Sequence, residues 1–140
     1  MYNKGMKVRK YDSRDKNFIL NSFLKSFVIP RLSTLDSAPQ ILRMDGDTVV
    51  KYWHDRMGRA LEEGGCTVAN PDDDDLYILG YLVREENTLF YVYTRELARR
   101  RGVASRLVAE SGFDVKNGNT VLTNDGIRNL LTHLRGYARD

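Results

Sequence analysis

A chain of 140 residues, 41% of them hydrophobic and 29% charged, is long enough to bury one core and too apolar to be disordered. Its one cysteine, Cys66, excludes an internal disulfide and favours a reducing compartment, and two histidines supply too few soft ligands for structural zinc. The longest apolar stretch, Leu76 to Val83, is far shorter than the roughly 20 residues of a membrane helix, and the start lacks the apolar region of a secretory signal. We therefore expect a single cytoplasmic domain over residues 1–140, with no membrane contact and no metal site.

The chain begins with a predicted strand and helix. Residues Lys7 to Tyr11 alternate polar and apolar side chains, as a short strand does. A side-chain oxygen of Asp12 or Ser13 can cap the helix that follows, and Pro30 ends it. The apolar face of this helix consists of Phe18, Ile19, Phe23 and Phe27. Residues 31–47 scatter Ser, Pro, Asp and Gly, and we interpret them as a loop.

A second helix is predicted after this loop. Asp47 or Thr48 is its expected cap, and the pair Gly64-Gly65 is its expected end. Its apolar residues form one stripe at helical spacing: Val49, Trp53, Met57, Ala60 and Leu61.

Three strands are predicted next, because three segments are rich in β-branched and aromatic residues and are bounded by turn residues. These segments are Cys66 to Ala69, Leu76 to Arg84 and Thr88 to Tyr93. The connection at residues 85–87 is short enough for a hairpin, so we expect an antiparallel meander. The acidic run Asp72 to Asp75 is interpreted as a turn, since it lacks the spaced ligands of a calcium loop.

The last part of the chain predicts a helix, a short strand and a final helix. The first of these helices carries Val103, Leu107 and Val108 on one face and ends near Ser111-Gly112. Val121 and Leu122 are expected in the strand, and Asn124 or Asp125 caps the last helix. The apolar positions of that last helix are Ile127, Leu130, Leu131, Leu134 and Ala138.

The positive charge of the chain is concentrated in one segment. Residues 95–106 contain five arginines and one glutamate, which gives this segment a net charge of +4. Because the whole chain has a net charge of +3, the remainder carries about −1. A local positive field indicates a particular anionic ligand rather than a generally basic surface.

The segment from Arg99 to Ala104 is predicted to open a helix, and helix N-termini favour phosphate because their first amides are unpaired and lie at the positive end of the dipole. Gly102 allows a phosphate to approach the backbone, and the small Ala104 keeps the approach clear. A solvated basic face and a nucleic-acid contact remain as alternatives. Residues 95–108 contain no aromatic side chain on which a base could stack, which disfavours the second.

The run Arg99-Arg100-Arg101-Gly102-Val103-Ala104, placed after a strand that ends in Tyr91-Val92-Tyr93, resembles the signature of the GNAT (Gcn5-related N-acetyltransferase) superfamily. That signature is Gln or Arg, two residues, Gly, one residue, and Gly or Ala. The resemblance extends over roughly Lys7 to Val108 and is greatest to small acetyltransferase-like proteins of phages and prophages.

The resemblance implies an α/β (α+β) fold, with a mixed, mostly antiparallel sheet flanked by about four helices. It also implies that the sheet splays at its middle and that acetyl-coenzyme A (acetyl-CoA) lies in the cleft. GNAT domains usually add two strands after their fourth helix, whereas this sequence stops at Asp140. We therefore expect a C-terminally truncated version of the fold.

The resemblance also implies a set of site residues. Backbone groups of the strand and amides of the helix start are expected on the cofactor, together with an asparagine near the last helix. The expected cofactor-binding residues are Tyr91, Val92, Tyr93, Arg99, Arg100, Arg101, Gly102, Val103, Ala104, Ser105 and Asn124.

Glu85 is the candidate general base, and Tyr93 and His133 are candidates for catalytic side chains. His133 stands near the place where the family commonly carries a tyrosine acid. Each of the three also has a simpler interpretation, which remains open. Glu85 is then a charged hairpin residue, Tyr93 packs on the sheet, and His133 lies on a helix surface.

The implied activity is the transfer of an acetyl group from acetyl-CoA to an unidentified primary amine, by direct attack of the neutral amine on the thioester. The alternative is a catalytically inert phage structural or virion-assembly protein, in which a phage protein or a second copy of the chain covers an exposed sheet edge. A phage-encoded chain is expected in the host cytoplasm or in the virion. A nucleic-acid binder is a third possibility.

Overall fold

A computed structural model describes residues 5–30 and 46–120. The chain divides into two compact units, one formed by Met1–Tyr11 with Glu63–Asp140 and the other by Asp12–Glu62. The predicted single domain over residues 1–140 stays a prediction. None of the helices in the described ranges is long and apolar enough to cross a membrane.

The first unit is built on a five-stranded sheet whose strands lie side by side in sequence order. The strands are β1 (Met6–Lys10), β2 (Cys66–Pro71), β3 (Gly80–Glu85), β4 (Thr88–Thr94) and β5 (Asn119–Thr120). The first four pair antiparallel, whereas β5 runs parallel to β4 at Thr88 and Leu89. The mixed, mostly antiparallel sheet expected from the sequence is thereby confirmed. Whether the sheet splays depends on residues 121–140, which lie outside the described residues.

The hairpin between β3 and β4 has the predicted position and contains one feature that was not predicted. Its loop is Glu86 and Asn87, and Glu86 adopts a positive φ of 53°. Further along, Tyr91 is opposite Val83 but Leu89 is opposite Arg84, so Phe90 is the extra residue of a β-bulge.

The strand predicted at Leu76 to Arg84 is shorter than expected, because β3 begins at Gly80 rather than at Leu76. The amide of Leu79 still donates to the carbonyl of Ala69 on β2, but the residues before Leu79 hydrogen-bond to side chains. The amides of Leu76 and Tyr77 donate to Asp74 Oδ1, and the fully buried Asn70 donates to the carbonyl of Tyr77. The predicted strand at Leu76 to Leu79 is therefore wrong.

The helix that follows β4 packs on the sheet, mainly over β2 and β3. It spans Val103–Ser111, and the three residues predicted for its apolar face, Val103, Leu107 and Val108, are buried. Gly80 permits the close approach, because a side chain there would collide with the carbonyl of Tyr93 and with Val103. Gly112 ends the helix with a φ of 82°, as expected at this position.

The described part of the second unit contains two α-helices. The helix α1 (Lys16–Phe23) follows a 3₁₀ turn at Ser13–Asp15, which Asp12 caps as predicted, and continues into a π-helical turn at Leu24–Val28. The helix α2 spans Gly46–Glu62, and we number the helix of the first unit α3. Asp47 and Thr48 lie inside α2, so their predicted role as caps is wrong. Three of the predicted apolar residues are in ring contact: Phe23, Phe27 and Trp53.

Three α-helices thus lie in the described ranges, against about four expected. The predicted final helix and the residues predicted for the preceding strand, Val121 and Leu122, fall outside the described residues.

Candidate functional site

The segment between β4 and α3, residues Arg95–Gly102, forms what we call the arginine turn. It starts with a short 3₁₀ turn at Glu96–Ala98, after which Arg99 is extended. Arg100 adopts a φ of 65° and Gly102 a φ of 79°. The helix proper begins at Val103 rather than at Arg99, so three arginines precede the helix instead of forming its first turn.

The first turn of α3 has no side-chain cap, because its N-cap residue is Gly102. The first helical hydrogen bond runs from the amide of Arg106 to the carbonyl of Gly102, at 3.0 Å. Within the described ranges, no hydrogen bond is formed by the amides of Val103, Ala104 and Ser105. Unpaired amides at the positive end of a helix dipole favour an anion.

The space in front of Gly102 is open. A Cβ atom built on this residue would have no other atom within 4 Å. A residue with a side chain would nevertheless be strained at a φ of 79°. The backbone conformation, and not a lack of room, therefore explains why this residue is glycine. Arg100 carries the same strain without being glycine, and such strain persists only where the surrounding structure imposes it.

The arginines of the positive segment have different roles in the structure. Arg99, Arg100 and Arg101 are exposed on the arginine turn, and Arg99 Nε donates to the carbonyl of Thr94 at 3.2 Å. Arg106 is held by Glu110, with 2.6 Å between Nε and Oε2, and also donates to the carbonyl of Met6. Arg95 Nε donates to the carbonyl of Ile78 at 2.6 Å. The different roles of these five arginines could not be distinguished from the sequence, because all five lie within one short run.

A cavity of about 240 Å³ lies beside the first turn of α3. Because Gly5 and Met6 contribute to it, the cavity lies on the β1 side of the helix. Its lining residues are Gly5, Met6, Leu79, Ala98, Arg101, Val103 and Arg106. Of the residues predicted to bind the cofactor, only Arg101 and Val103 reach this cavity.

The residues predicted on β4 lie on both faces of the sheet. Tyr91 is buried and Tyr93 is partly buried, and both contact the ring of Tyr81 on one face, with 5.1 Å between the centroids of Tyr81 and Tyr93. Val92, between them in the strand, points to the other face. These contacts show that the two tyrosines pack on the sheet, and Tyr93 keeps part of its surface exposed.

Glu85 and Tyr93 are not brought together. Glu85 is opposite Thr88 at the hairpin, whereas Tyr93 is opposite Tyr81 near the other end of β3. Glu85 and Tyr81 are four positions apart along β3, which corresponds to roughly 13 Å. The other two polar candidates, Asn124 and His133, lie outside the described residues.

Two features of the site were missed by the sequence analysis. The bulge at Phe90 had a weak signal, because Leu89 and Phe90 are consecutive apolar residues where a half-buried strand alternates. Arg95 had none, since nothing in the pattern distinguishes it from its neighbours. No metal-binding group of three or more His, Cys, Asp or Glu side chains occurs in ranges 5–30 and 46–120.

Neither a family model nor a curated protein matches the sequence. Solved structures do match. A Gcn5-related N-acetyltransferase from Ralstonia eutropha aligns with a TM-score of 0.55 and 15% identity, over 94% of this chain and 92% of the other. A predicted acetyltransferase from Clostridium acetobutylicum, solved with acetyl-CoA, aligns with a TM-score of 0.50 and 15% identity, over 93% and 88% of the two chains.

Diaminobutyrate acetyltransferase EctA from Paenibacillus lautus, solved with L-2,4-diaminobutyric acid and coenzyme A (CoA), also aligns. Its TM-score is 0.50 and its identity 18%, over 98% of this chain and 76% of the other. At such identities the likeness concerns the fold. The chain therefore has the fold of the GNAT acetyltransferases, as the sequence predicted.

Proposed function

We propose that this chain is a member of the GNAT superfamily and an acetyl-CoA-dependent N-acetyltransferase that acts on a primary amine. The observation that carries the proposal is the uncapped first turn of α3 behind the arginine turn, in a fold whose solved neighbours were crystallised with CoA or acetyl-CoA. The closeness to phage proteins also remains a proposal.

The residues of the turn fit the diphosphate of CoA. The amides of Val103, Ala104 and Ser105 would hold one phosphate, because they have no partner in the described part of the chain and the space before Gly102 is open. Arg99 and Arg100 are exposed at the same turn and would add charge-assisted hydrogen bonds. When bound, acetyl-CoA supplies the activated acyl group.

On β4, the backbone of Tyr91, Val92 and Tyr93 would contact the cofactor between the turn and the bulge. Tyr93 is the candidate side chain nearest the turn, because Thr94 beside it accepts the hydrogen bond from Arg99. Glu85 lies too far from Tyr93 for both to touch one amine, so we assign Glu85 the role of a base that acts through water. Asn124 and His133 keep the cofactor and acid roles proposed for them.

The test measures the release of CoA from acetyl-CoA with a thiol reagent, across a panel of primary amines that includes L-2,4-diaminobutyric acid. A tertiary amine serves as the control. We expect release with at least one primary amine, and a lower rate for the Arg99→Ala, Arg100→Ala double variant. Binding of CoA without release in any arm would favour the inert structural protein. If CoA does not bind at millimolar concentration, the proposed function is wrong.

A further inference from the structure

Arg95 is fixed by contacts to the connection between β2 and β3. Its Nε donates to the carbonyl of Ile78 at 2.6 Å, and its own amide donates to the carbonyl of Leu79 at 2.8 Å. Its guanidinium carbon lies 4.4 Å from the centroid of the Tyr77 ring, which is a cation–π distance. The side chain therefore contacts Tyr77 and Ile78, and the backbone amide of Arg95 contacts Leu79, the next residue of the same connection.

That connection is in turn fixed to the sheet. Asn70, which is fully buried on β2, donates through Nδ2 to the carbonyls of Asp75 and Tyr77, at 3.2 and 2.7 Å. The amide of Leu79 donates to the carbonyl of Ala69 at 2.8 Å. A buried amide whose hydrogen bonds are satisfied holds the backbone in one arrangement. Residues 75–79 therefore form a rigid support beside the end of β4.

From Arg95 the contacts continue to the start of α3. The carbonyl of Arg95 accepts from the amide of Ala98 at 2.9 Å, which closes the 3₁₀ turn. Ala98 and Leu79 are both buried and line the same cavity as Val103, the first residue of α3. The support and the first residue of α3 therefore border one cavity, next to the 3₁₀ turn that the carbonyl of Arg95 closes.

We propose that Arg95 is a positioning residue for the anion site rather than one of the arginines that bind the anion. Its guanidinium ties the start of the arginine turn to Tyr77 and Ile78, and this contact sets the direction of the Val103, Ala104 and Ser105 amides. The affinity part of the inference rests on the proposed function, because it concerns the diphosphate of CoA.

The chain offers a matched control in Arg84. Arg84 Nε donates to the carbonyl of Ser111 at 2.8 Å, and its guanidinium also donates to the carbonyl of Glu86, at the opposite end of α3. Both arginines are partly buried and both hold backbone carbonyls. Replacing either one by alanine removes comparable structural contacts, but only Arg95 supports the arginine turn.

The test combines hydrogen exchange without ligand and CoA titration of wild type, Arg95→Ala, Arg95→Lys and Arg84→Ala. In Arg95→Ala we expect faster exchange of the hydrogen-bonded amides of Ala98, Arg99 and Arg106 and unchanged exchange at residues 111–114, with the opposite pattern in Arg84→Ala. We expect the Kd for CoA to rise roughly tenfold or more in Arg95→Ala and to stay near wild type in Arg84→Ala. Arg95→Lys should remain weakened, because an ammonium cannot stack on Tyr77 and hold Ile78 with the same planar group.

Two results would overturn the positioning role: unchanged exchange of the Ala98, Arg99 and Arg106 amides in Arg95→Ala, or full recovery of CoA affinity in Arg95→Lys. The second would mean that Arg95 contributes only its charge. Because the exchange arm needs no ligand, it tests Arg95 even if wild type fails to bind CoA, and such a failure would count against the proposed function alone.

Discussion

Gly102 is the residue on which the anion site depends most directly. Its φ of 79° is easy for glycine and strained for any other residue, and the space around its Cβ position is open. A larger side chain at this position would therefore act in two ways, by straining the turn and by occupying the approach of the phosphate.

We predict that Gly102→Leu weakens CoA binding at least tenfold while the protein stays folded, because the cost of the strained backbone is only about 1–2 kcal/mol. Titration of CoA by calorimetry, with circular dichroism for the fold, measures both effects. Gly112→Leu is the control, because Gly112 has a φ of 82° at the far end of the same helix. If Gly102→Leu binds CoA as wild type does, the phosphate site lies elsewhere.

Asp114 is a second residue with a separable effect. Its side chain accepts hydrogen bonds from the amides of Lys116 and Asn117 and from Asn117 Nδ2, which shape the turn before β5. The hydrogen bonds from Asn117 are the main reason why the pKa of Asp114 lies below its ordinary value of 3.8.

Because this pKa is lowered by folding, the contribution of Asp114 to stability is present above its unfolded pKa and is lost as the pH falls through its folded pKa. We expect Asp114→Asn to melt at a lower temperature than wild type at pH 7. The difference should shrink below about pH 4 and vanish at still lower pH. Melting curves of both proteins from pH 2 to pH 7 test this, and a difference that is constant over the range would contradict it.

Single residues differed in how well the sequence predicted them. The cap at Asp12 and the glycines at 102 and 112 were predictable, because each residue type has a local backbone preference that needs no knowledge of its neighbours. The positive φ of Arg100 and the role of Arg95 were not, because both depend on chain segments that meet only in the folded protein.

At the scale of elements, α3 approaches β3 closely at one residue, Gly80. Gly80 lies where the helix crosses the strand, and a Cβ atom there would lie 3.1 Å from Val103 Cγ1 and closer still to the carbonyl of Tyr93. The backbone cannot move away without breaking the pairing of β3 with β4.

We predict that Gly80→Ala lowers the free energy of unfolding by about 1–3 kcal/mol, as overpacking of a core does. Gly58→Ala should change stability in the opposite direction, by up to about 1 kcal/mol, because Gly58 lies inside α2 with no atom near its Cβ position. Urea unfolding of both variants gives the two values. A neutral Gly80→Ala would show that α3 can move away from the sheet.

The bounds of the elements were predictable where local chemistry sets them. The end of α3 at Ser111-Gly112 and the hairpin at Glu86 and Asn87 followed from turn residues. The start of β3 did not, because Leu76 to Leu79 have the composition of a strand but are tied to Asn70 and Arg95. Side chains distant in sequence removed these residues from the sheet.

For the whole molecule, the proposed cofactor predicts a change in stability that needs no knowledge of the acceptor. A ligand that binds only the folded state at one hundred times its Kd stabilises that state by about 2.7 kcal/mol. For a domain of this size the melting temperature should rise by something on the order of 8 °C.

We expect this rise with CoA and with acetyl-CoA, and a much smaller one with pantetheine, which lacks the diphosphate. Differential scanning fluorimetry at several ligand concentrations tests it. Equal shifts with pantetheine and CoA would show that the arginine turn does not take part in binding.

The fold as a whole was predictable because the order of elements and a short glycine-containing signature both indicated the same superfamily. The catalytic side chains were not predictable to the same degree. Glu85 and Tyr93 stand near each other in the sequence, but the β3–β4 hairpin places them roughly 13 Å apart.

The pairing of β1 with β2 has a further consequence for how this protein can vary. Tyr11 leaves the first unit with its amide hydrogen-bonded to the carbonyl of Cys66, so the chain departs and returns at neighbouring points. An insertion of any length can start and finish there, and each doubling of its length costs only about 0.6 kcal/mol of closure entropy. The segment between, Asp12–Glu62, can therefore change in length or sequence without altering the pairing of β1 with β2.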